Sequence, residues 1–269
     1  MTPLQLIATD LDGTFLGADH VPSELNVQAV RLAHERGVHV VFATGRPVRW
    51  LQVLDPLSDV HPDVLVSNGA VVYDVAQHEV EQAFPLPRED SLAVMADVAA
   101  VIPGATFAVE YTDGWGRLLS YPPRGDFVEA DVIVASPNEL LTARVPVKLL
   151  ILHREISTDR LAELATPVVN DRLQVTFSET SGYGLLELSA PGVSKGSALL
   201  AVMKARGVGA ANVAAFGDMP NDISMLDVAG YPFAMSNAHP LVLEKGYPLA
   251  PHHDKDGFGR AVLSLLDAA

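Results

Sequence analysis

Two carboxylates stand two positions apart in Asp10-Leu11-Asp12-Gly13-Thr14, directly after the apolar run Leu4–Thr9. If that run is a strand, alternation points Asp10 and Asp12 the same way, and Gly13 lets the chain turn sharply behind them. Neighbouring carboxyl groups can divide labour: one stays ionised as a nucleophile while the other holds a proton and serves as acid. An Asx turn closing a strand would explain the same residues without any chemistry.

Three further segments carry related signals. In Phe42-Ala43-Thr44-Gly45-Arg46, a hydroxyl and the backbone N–H groups of Thr44 and Gly45 could hold phosphate oxygens, as glycine turns at helix starts do. A strand, a turn and Pro47 opening a helix account for it equally well. Lys195 follows Gly192-Val193-Ser194, with Ser194 a natural N-cap, so it falls in the first turn of a helix. A cation there opposes the helix dipole by a few tenths to about 1 kcal/mol, and a bound anion would reverse that sign. In Gly217-Asp218-Met219-Pro220-Asn221-Asp222, Pro220 forbids a continuing central strand and makes the segment a loop. If it shares a crevice with Asp10 and Asp12, four carboxylates must repel one another and push some pKa values upward. A hard divalent cation resolves this, and an all-oxygen site with few protein ligands suits Mg²⁺.

These segments need a scaffold that brings them together. Leu4–Thr9, Val38–Ala43 and Val64–Ser67 read as buried parallel strands, because apolar residues follow one another without alternation. Ser23 can cap a helix running to Gly37, and another helix is expected after Pro47. The resulting βαβαβ order predicts a parallel sheet with right-handed crossovers. After Tyr73 the rhythm changes. A helix (Asp90–Ala100), a strand (Thr106–Tyr111) and a glycine-rich turn (Thr112–Gly116) are followed by a strand (Val147–His153), a helix (Thr158–Ala165) and a strand (Leu173–Ser178). From Leu185 the first rhythm returns, with strand Leu185–Ser189, helix Lys195–Gly207, strand Val213–Phe216, a short helix from Asp222, strand Tyr231–Met235 and a last helix after Gly257. The prediction is an α/β fold, a doubly wound Rossmann-like parallel-sheet core over 1–83 and 187–269, interrupted by an α+β cap domain over 84–186. All four chemical segments then fall at strand carboxyl ends, the edge where open α/β sheets bind ligands.

Composition narrows the partners. A formal charge of −15 with no Lys/Arg run would repel a DNA backbone or acidic lipid, so neither nucleic acid nor membrane is expected. The chain has no cysteine, which removes disulfides, thiolate zinc sites and a cysteine nucleophile together. Met1–Asp10 lacks the basic stretch and long apolar run of a signal peptide, and no segment approaches the roughly 20 apolar residues of a membrane span. A cytoplasmic location is the expectation.

As a set, Asp10–Thr14 (DLDGT), Thr44–Arg46 (TGR), Ser67–Ala70 (SNGA), Gly192–Gly196 (GVSKG) and Gly217–Asp222 (GDMPND) resemble the haloacid dehalogenase superfamily, in its Cof-type subgroup with a large α/β cap. Ala234–Ala238 and Asp256-Gly257 resemble its last segment, while His252-His253-Asp254 departs from it. The resemblance implies a Mg²⁺-dependent phosphatase of small phosphorylated metabolites. Asp10 would be nucleophile and metal ligand, and Asp12 the acid and base, coordinating Mg²⁺ through its backbone carbonyl. Asp218 would be the third protein ligand, with Asp222 a ligand or its support. Thr44, Gly45, Lys195, Asn221 and the Leu11 backbone would hold the phosphoryl oxygens, and the cap would act as a lid. Sugar phosphates are the first expectation, with pyridoxal phosphate and nucleotides behind. In a lid, Tyr111, Asp113, Trp115, Arg117, Arg124 and Tyr183 are the candidates to select the substrate, and His252 and His253 could touch the pocket rim. A phosphomutase or phosphonatase would use the same aspartyl chemistry, the latter with a Schiff-base lysine for which Lys148 is the cap's sole candidate. A non-enzymatic phosphoryl-receiver module also gathers Asp, Thr and Lys, but is about half this length.

Overall fold

The first stretch of the chain lays down β1 (Leu6–Thr9), α1 (Glu24–Glu35), β2 (His39–Ala43), β3 (Asp63–Val66), β4 (Val71–Asp74) and β5 (Glu79–Ala83). A middle stretch follows with α2 (Arg88–Val101), β6 (Thr106–Tyr111), β7 (Gly114–Arg117), β8 (Ile133–Val134), α3 (Pro137–Leu140), β9 (Pro146–His153), α4 (Thr158–Val169), β10 (Gln174–Thr176) and β11 (Gly184–Ser189). The last contains α5 (Lys195–Arg206), β12 (Val213–Gly217), α6 (Ile223–Leu226), β13 (Tyr231–Met235), α7 (Pro240–Leu243), β14 (Leu249–Ala250) and α8 (Gly257–Asp267). These elements come from a computed structural model that describes residues 4–123, 132–180 and 182–267. They form two units: one of 1–46, 50–82 and 194–269, the other of 47–49 and 83–193.

In the first unit an eight-stranded sheet has the order β14-β13-β12-β1-β2-β3-β4-β5. β1 lies inside it, parallel to β2 on one edge and to β12 on the other. A strand buried on both faces must be apolar throughout, and Leu6, Ile7, Ala8 and Thr9 are all buried. Leu6 and Ala8 face a core shared with Leu199 and Met203 of α5 and Leu226 of α6. On the other face Phe42 and Phe216 meet Phe15 and Phe258 in edge-to-face contacts with centroids 5.0–5.3 Å apart. Helices on both faces of a mostly parallel sheet make this a doubly wound α/β fold. Ser23 caps α1 by accepting from the Asn26 N–H, as its position before the apolar pattern predicts.

The helix expected after Pro47 is instead a series of 3₁₀ turns over Val48–Val60, kinked at Trp50 and with Pro56 inside it. Pro56 removes an N–H and clashes with the preceding turn, which rules out a regular α-helix. β5 went unread in the sequence because Glu-Val-Glu-Gln-Ala is an exposed edge without apolar alternation.

The second unit is an α+β insert whose six-stranded sheet has the order β10-β11-β9-β6-β7-β8. The strand expected to restart the core, Leu185–Ser189, belongs here: β11 pairs antiparallel with β9 and β10 along its length. The expected boundary between 186 and 187 falls inside that strand, and the unit runs on to Val193. An apolar strand looks alike in either sheet, and only its partners decide. The Thr112–Gly116 turn is also shorter than expected, since Gly114–Arg117 is a strand paired with β6.

Candidate active site

Because β1, β2 and β12 are parallel, the loops that follow them leave the sheet at one edge, carrying Asp10, Thr44 and Asp218. Beyond Asp10 the chain turns through Asp12 and Gly13 and closes with Leu16 N–H donating to the Leu11 carbonyl at 2.8 Å. Gly13 has φ +76°, and a Cβ there would lie 2.3 Å from Asp218 Oδ2. Only glycine accepts that backbone and also lets the loops after β1 and β12 touch. Thr14 reinforces the contact, its hydroxyl donating to Asp218 Oδ1 at 2.9 Å.

Lys195 is the hub. Ser194 caps α5, accepting from the Ser197 N–H, and this sets Lys195 in the first turn, fully buried. Its Nζ donates to Asp10 Oδ1 at 2.5 Å and to Asp222 Oδ1 at 2.6 Å. The dipole penalty expected for a cation there is therefore met by two carboxylates, and their charges hold its pKa above the ordinary lysine value although burial pulls the other way. Asp222 is fully occupied, because its Oδ2 also accepts the N–H groups of Asp218 and Met219 at 2.9 Å each.

Oxygens of Asp10, Asp218 and Asp222 lie within 4.8 Å of one another, all buried. Desolvation is the chief reason that Asp10 is raised well above 3.8, with Lys195 opposing it and Asp222, Asp218 and Asp12 adding to it. Desolvation, then the Asp222 charge, pushes Asp218 to about 7, against the Thr14 hydrogen bond and Lys195. Buried oxygens that resist ionisation fit a hard divalent cation such as Mg²⁺, which would sit among Asp10 and Asp218 with Asp222 bracing them. Asn221 Oδ1, buried and without a hydrogen-bond partner, adds an unsatisfied oxygen.

The raised Asp218 value fixes the sign of a pH effect. The folded state keeps a proton, up to about pH 7, that an unfolded aspartate with pKa 3.8 has released. That contribution to stability is complete below the ordinary carboxylate range and is lost as pH rises through about 7. The thermal midpoint of the metal-free protein is expected to fall between about pH 5 and pH 8, and added Mg²⁺ to restore it most at the upper end. A midpoint that climbs over this interval without metal would contradict the assignment.

Asp12 stands apart from the other carboxylates. Arg46 grips it with two hydrogen bonds, Nε to Oδ2 at 2.7 Å and Nη2 to Oδ1 at 2.6 Å, and His20 Nδ1 lies 3.1 Å from Oδ1. Desolvation raises its pKa, but the Arg46 hydrogen bonds and charge outweigh this, with His20 assisting, and leave it below 3.8. The Asp12 carboxylate is thus bound to Arg46, which favours its ionised form over the protonated one expected of an acid. Sequence reasoning assigned no role to Arg46, although it stood inside the Thr44–Arg46 motif, or to His20, for which no local signal exists.

Thr44 is buried at the end of β2, where its hydroxyl accepts the Arg46 N–H at 3.0 Å, with Gly45 beside it. Leu11 is buried behind Asp10. Asn221 donates through Nδ2 to Asn68 Oδ1 at 3.0 Å. His253 does not join the carboxylates. Its backbone N–H donates to Asn237 Oδ1, its ring Nδ1 lies 2.8 Å from the Leu16 carbonyl, and Asn237 Nδ2 donates to the Gly13 carbonyl, so this segment braces the loop after Asp10. His252 stacks on the His253 ring, centroids 4.8 Å apart.

The insert's candidates are mostly structural. Trp115 is in the insert's core, packed against Tyr121 at 6.2 Å, rather than displayed for stacking on a substrate. Tyr111 is buried and donates to the Leu140 carbonyl, and Arg117 is buried and donates to the Tyr121 carbonyl. Asp113 is exposed beside Arg144, and Tyr183 is half-buried with its carbonyl accepting from Thr158. Lys148 is buried in an ion pair with Glu187 at 2.8 Å. Arg124 lies outside the described residues.

The family model of haloacid dehalogenase-like hydrolases matches residues 7–262. Among curated proteins, the 5-amino-6-(5-phospho-D-ribitylamino)uracil phosphatase YcsE of Bacillus subtilis is 29% identical over 259 residues, covering 96% of this chain and 94% of its own length. The pyridoxal phosphate phosphatase YbhA of Escherichia coli is 25% identical over 275 residues, covering 97% and 98% respectively. Among solved structures, BT1666 from Bacteroides thetaiotaomicron, a phosphatase of the haloalkanoate (HAD) superfamily, aligns with a TM-score of 0.79 at 23% identity, covering 98% of this chain and 95% of that one.

Proposed function

The chain belongs to the haloacid dehalogenase-like hydrolase family and is a phosphatase, and from that premise we propose that it hydrolyses a small phosphate monoester, foremost a sugar phosphate, through an aspartyl-phosphate on Asp10. The buried cluster of Asp10, Lys195, Asp218 and Asp222 supports this reading, since it gathers three carboxylates around a buried cation at one sheet edge. Mg²⁺, held by Asp10, Asp218 and the Asp12 carbonyl, would supply charge neutralisation on the phosphoryl oxygens.

An Asp10 oxygen attacks phosphorus in line, and the bond from phosphorus to the leaving oxygen breaks. Lys195 keeps Asp10 oriented and has a third N–H for a phosphoryl oxygen, while Thr44, Gly45, Asn221 and the Leu11 backbone hold the rest. Asp12, ionised against Arg46 before substrate enters, takes up a proton from solvent as it leaves Arg46 and gives that proton to the departing alkoxide. Once ionised, it takes a proton from water, whose oxygen displaces the Asp10 carboxylate and frees inorganic phosphate. The Arg46 pair stabilises the form of Asp12 that this second step requires. Lys148, engaged by Glu187, gives no support to a Schiff-base phosphonatase.

The test is release of phosphate from a panel of phosphate esters, with Mg²⁺ and with EDTA. Hydrolysis that EDTA abolishes and Mg²⁺ restores is the expected outcome, with sugar phosphates ahead of pyridoxal phosphate and nucleotides. Equal rates with EDTA would overturn the role of the metal, and no hydrolysis of any ester would overturn the reaction.

A further inference from the structure

The Ser67–Ala70 motif holds three consecutive left-handed residues, Ser67 at φ +51°, Asn68 at +61° and Gly69 at +89°. A run of this kind is strained for all but glycine and survives only where its surroundings hold it. Those surroundings are the loops described above. Ser67 N–H donates to the Arg46 carbonyl at 3.0 Å, and Asn68 N–H to the Thr44 carbonyl at 2.9 Å. Gly69 packs on the capped end of α5, where a Cβ would come 2.6 Å from the Ser194 carbonyl oxygen, immediately before Lys195. Asn68 Oδ1 accepts from Asn221 Nδ2 at 3.0 Å, with both side chains buried. One turn thus touches the Thr44 loop, the Lys195 helix and the Asn221 loop.

Resting on the phosphatase function above, we propose that Asn68 is a positioning residue that sets the Asn221 amide for the phosphoryl group. Two properties of asparagine are needed together. Its short polar side chain tolerates the left-handed region, and its amide oxygen takes one N–H of Asn221. The other N–H of Asn221 stays available to a phosphoryl oxygen, while the buried Asn221 Oδ1, an acceptor without a protein partner, is left for a water or a metal ion. Without Asn68, the Asn221 side chain loses the contact that fixes its rotation, and misplacement on the scale of about 1 Å costs on the order of 100-fold in rate.

The experiment is a double-mutant cycle of Asn68→Gly and Asn221→Ala. Each variant is read by kcat/KM on the best ester of the panel and by the rise in thermal midpoint that inorganic phosphate induces with Mg²⁺ present. Glycine accepts φ +61°, so the N68G fold is expected to persist with an unchanged midpoint in the absence of phosphate. Each single variant is expected to lose about 10- to 100-fold in kcat/KM, mostly through KM, and most of the phosphate-induced rise. The double variant is expected to be no worse than N221A, because both changes remove one interaction. Losses that multiply, or an N68G protein as responsive to phosphate as the wild type, would overturn the role of Asn68. Absence of ester hydrolysis by the wild type counts against the phosphatase function alone, because the phosphate-induced rise still reads the cycle. If N68G does not fold, Asn68→Asp replaces it, keeping the left-handed backbone and the accepting oxygen. N221A should then cost as much in the N68D background as in the wild type, and a smaller cost would overturn the proposal.

Discussion

Asp10→Asn is expected to lower kcat by at least about 10⁴-fold while leaving the fold intact or slightly more stable. The loss follows from chemistry, since an amide oxygen is a poor nucleophile towards phosphorus and cannot form the acyl-phosphate. The second half follows from electrostatics. Burial holds the Asp10 pKa well above its ordinary value, so its charge opposes folding at neutral pH and its neighbours Asp218 and Asp222 add to the repulsion. Asparagine keeps the shape and an oxygen for Lys195 and removes one charge from the cluster. Phosphate release and thermal unfolding, measured on the same preparation, separate the two effects. A D10N protein that turned over at near wild-type rate would refute the nucleophile assignment, and one that lost several degrees of stability would refute the electrostatic account.

Lys195→Ala is expected to damage both properties. The side chain is wholly buried between Asp10 and Asp222, and removing one partner of a buried ionic group typically costs about 3–5 kcal/mol. The loss of a preorganised cation from the phosphoryl site is expected to reduce kcat/KM by about 10²- to 10³-fold, the scale of a lost oxyanion donor. A pH series distinguishes the causes. The pKa of Lys195 is raised, so its own contribution persists below the ordinary lysine value and is lost only as pH climbs through the raised one. Across the acidic and neutral range the difference between K195A and wild type therefore comes from the carboxylates left behind. It should shrink toward low pH, where Asp10 takes up a proton and no longer needs a cation. Urea denaturation at two pH values measures this, and a pH-independent difference would show that Lys195 acts through packing alone.

The elements around the chemistry were legible because local rules suffice to specify them. Ser23 before a helical pattern, Ser194 before Lys195 and the unbroken apolar run before Asp10 each state their own boundary. What the sequence concealed depends on partners distant in the chain. Leu185–Ser189 could have joined either sheet until its pairing with β9 decided it. Trp115 between two glycines was a candidate to select the substrate, yet a strand pairing with β6 turns it into the insert's core. The ionised, Arg46-bound state of Asp12 was also concealed, because alternation describes a strand and the chain has left the strand by then. Even there the motif held the answer one position beyond Gly45, in a residue with five N–H donors and an unassigned role.

The order of strands in the first unit also constrains how the molecule is made. One of the two partners of β1, the strand β12, is encoded some two hundred residues after it. Between those moments Leu6–Thr9 is an apolar edge with unpaired backbone groups, the kind of edge that invites pairing with another chain. The buried cluster has the same delay, because Asp10 meets Lys195 across 185 positions of sequence and the insert must be synthesised in between. A nascent chain halted before β12 therefore carries Asp10 and Lys195 without Asp218 and Asp222, the other carboxylates of the cluster. Activity is expected only once the closing strand has been made, and slow, non-local sheet closure should govern both folding rate and solubility during synthesis.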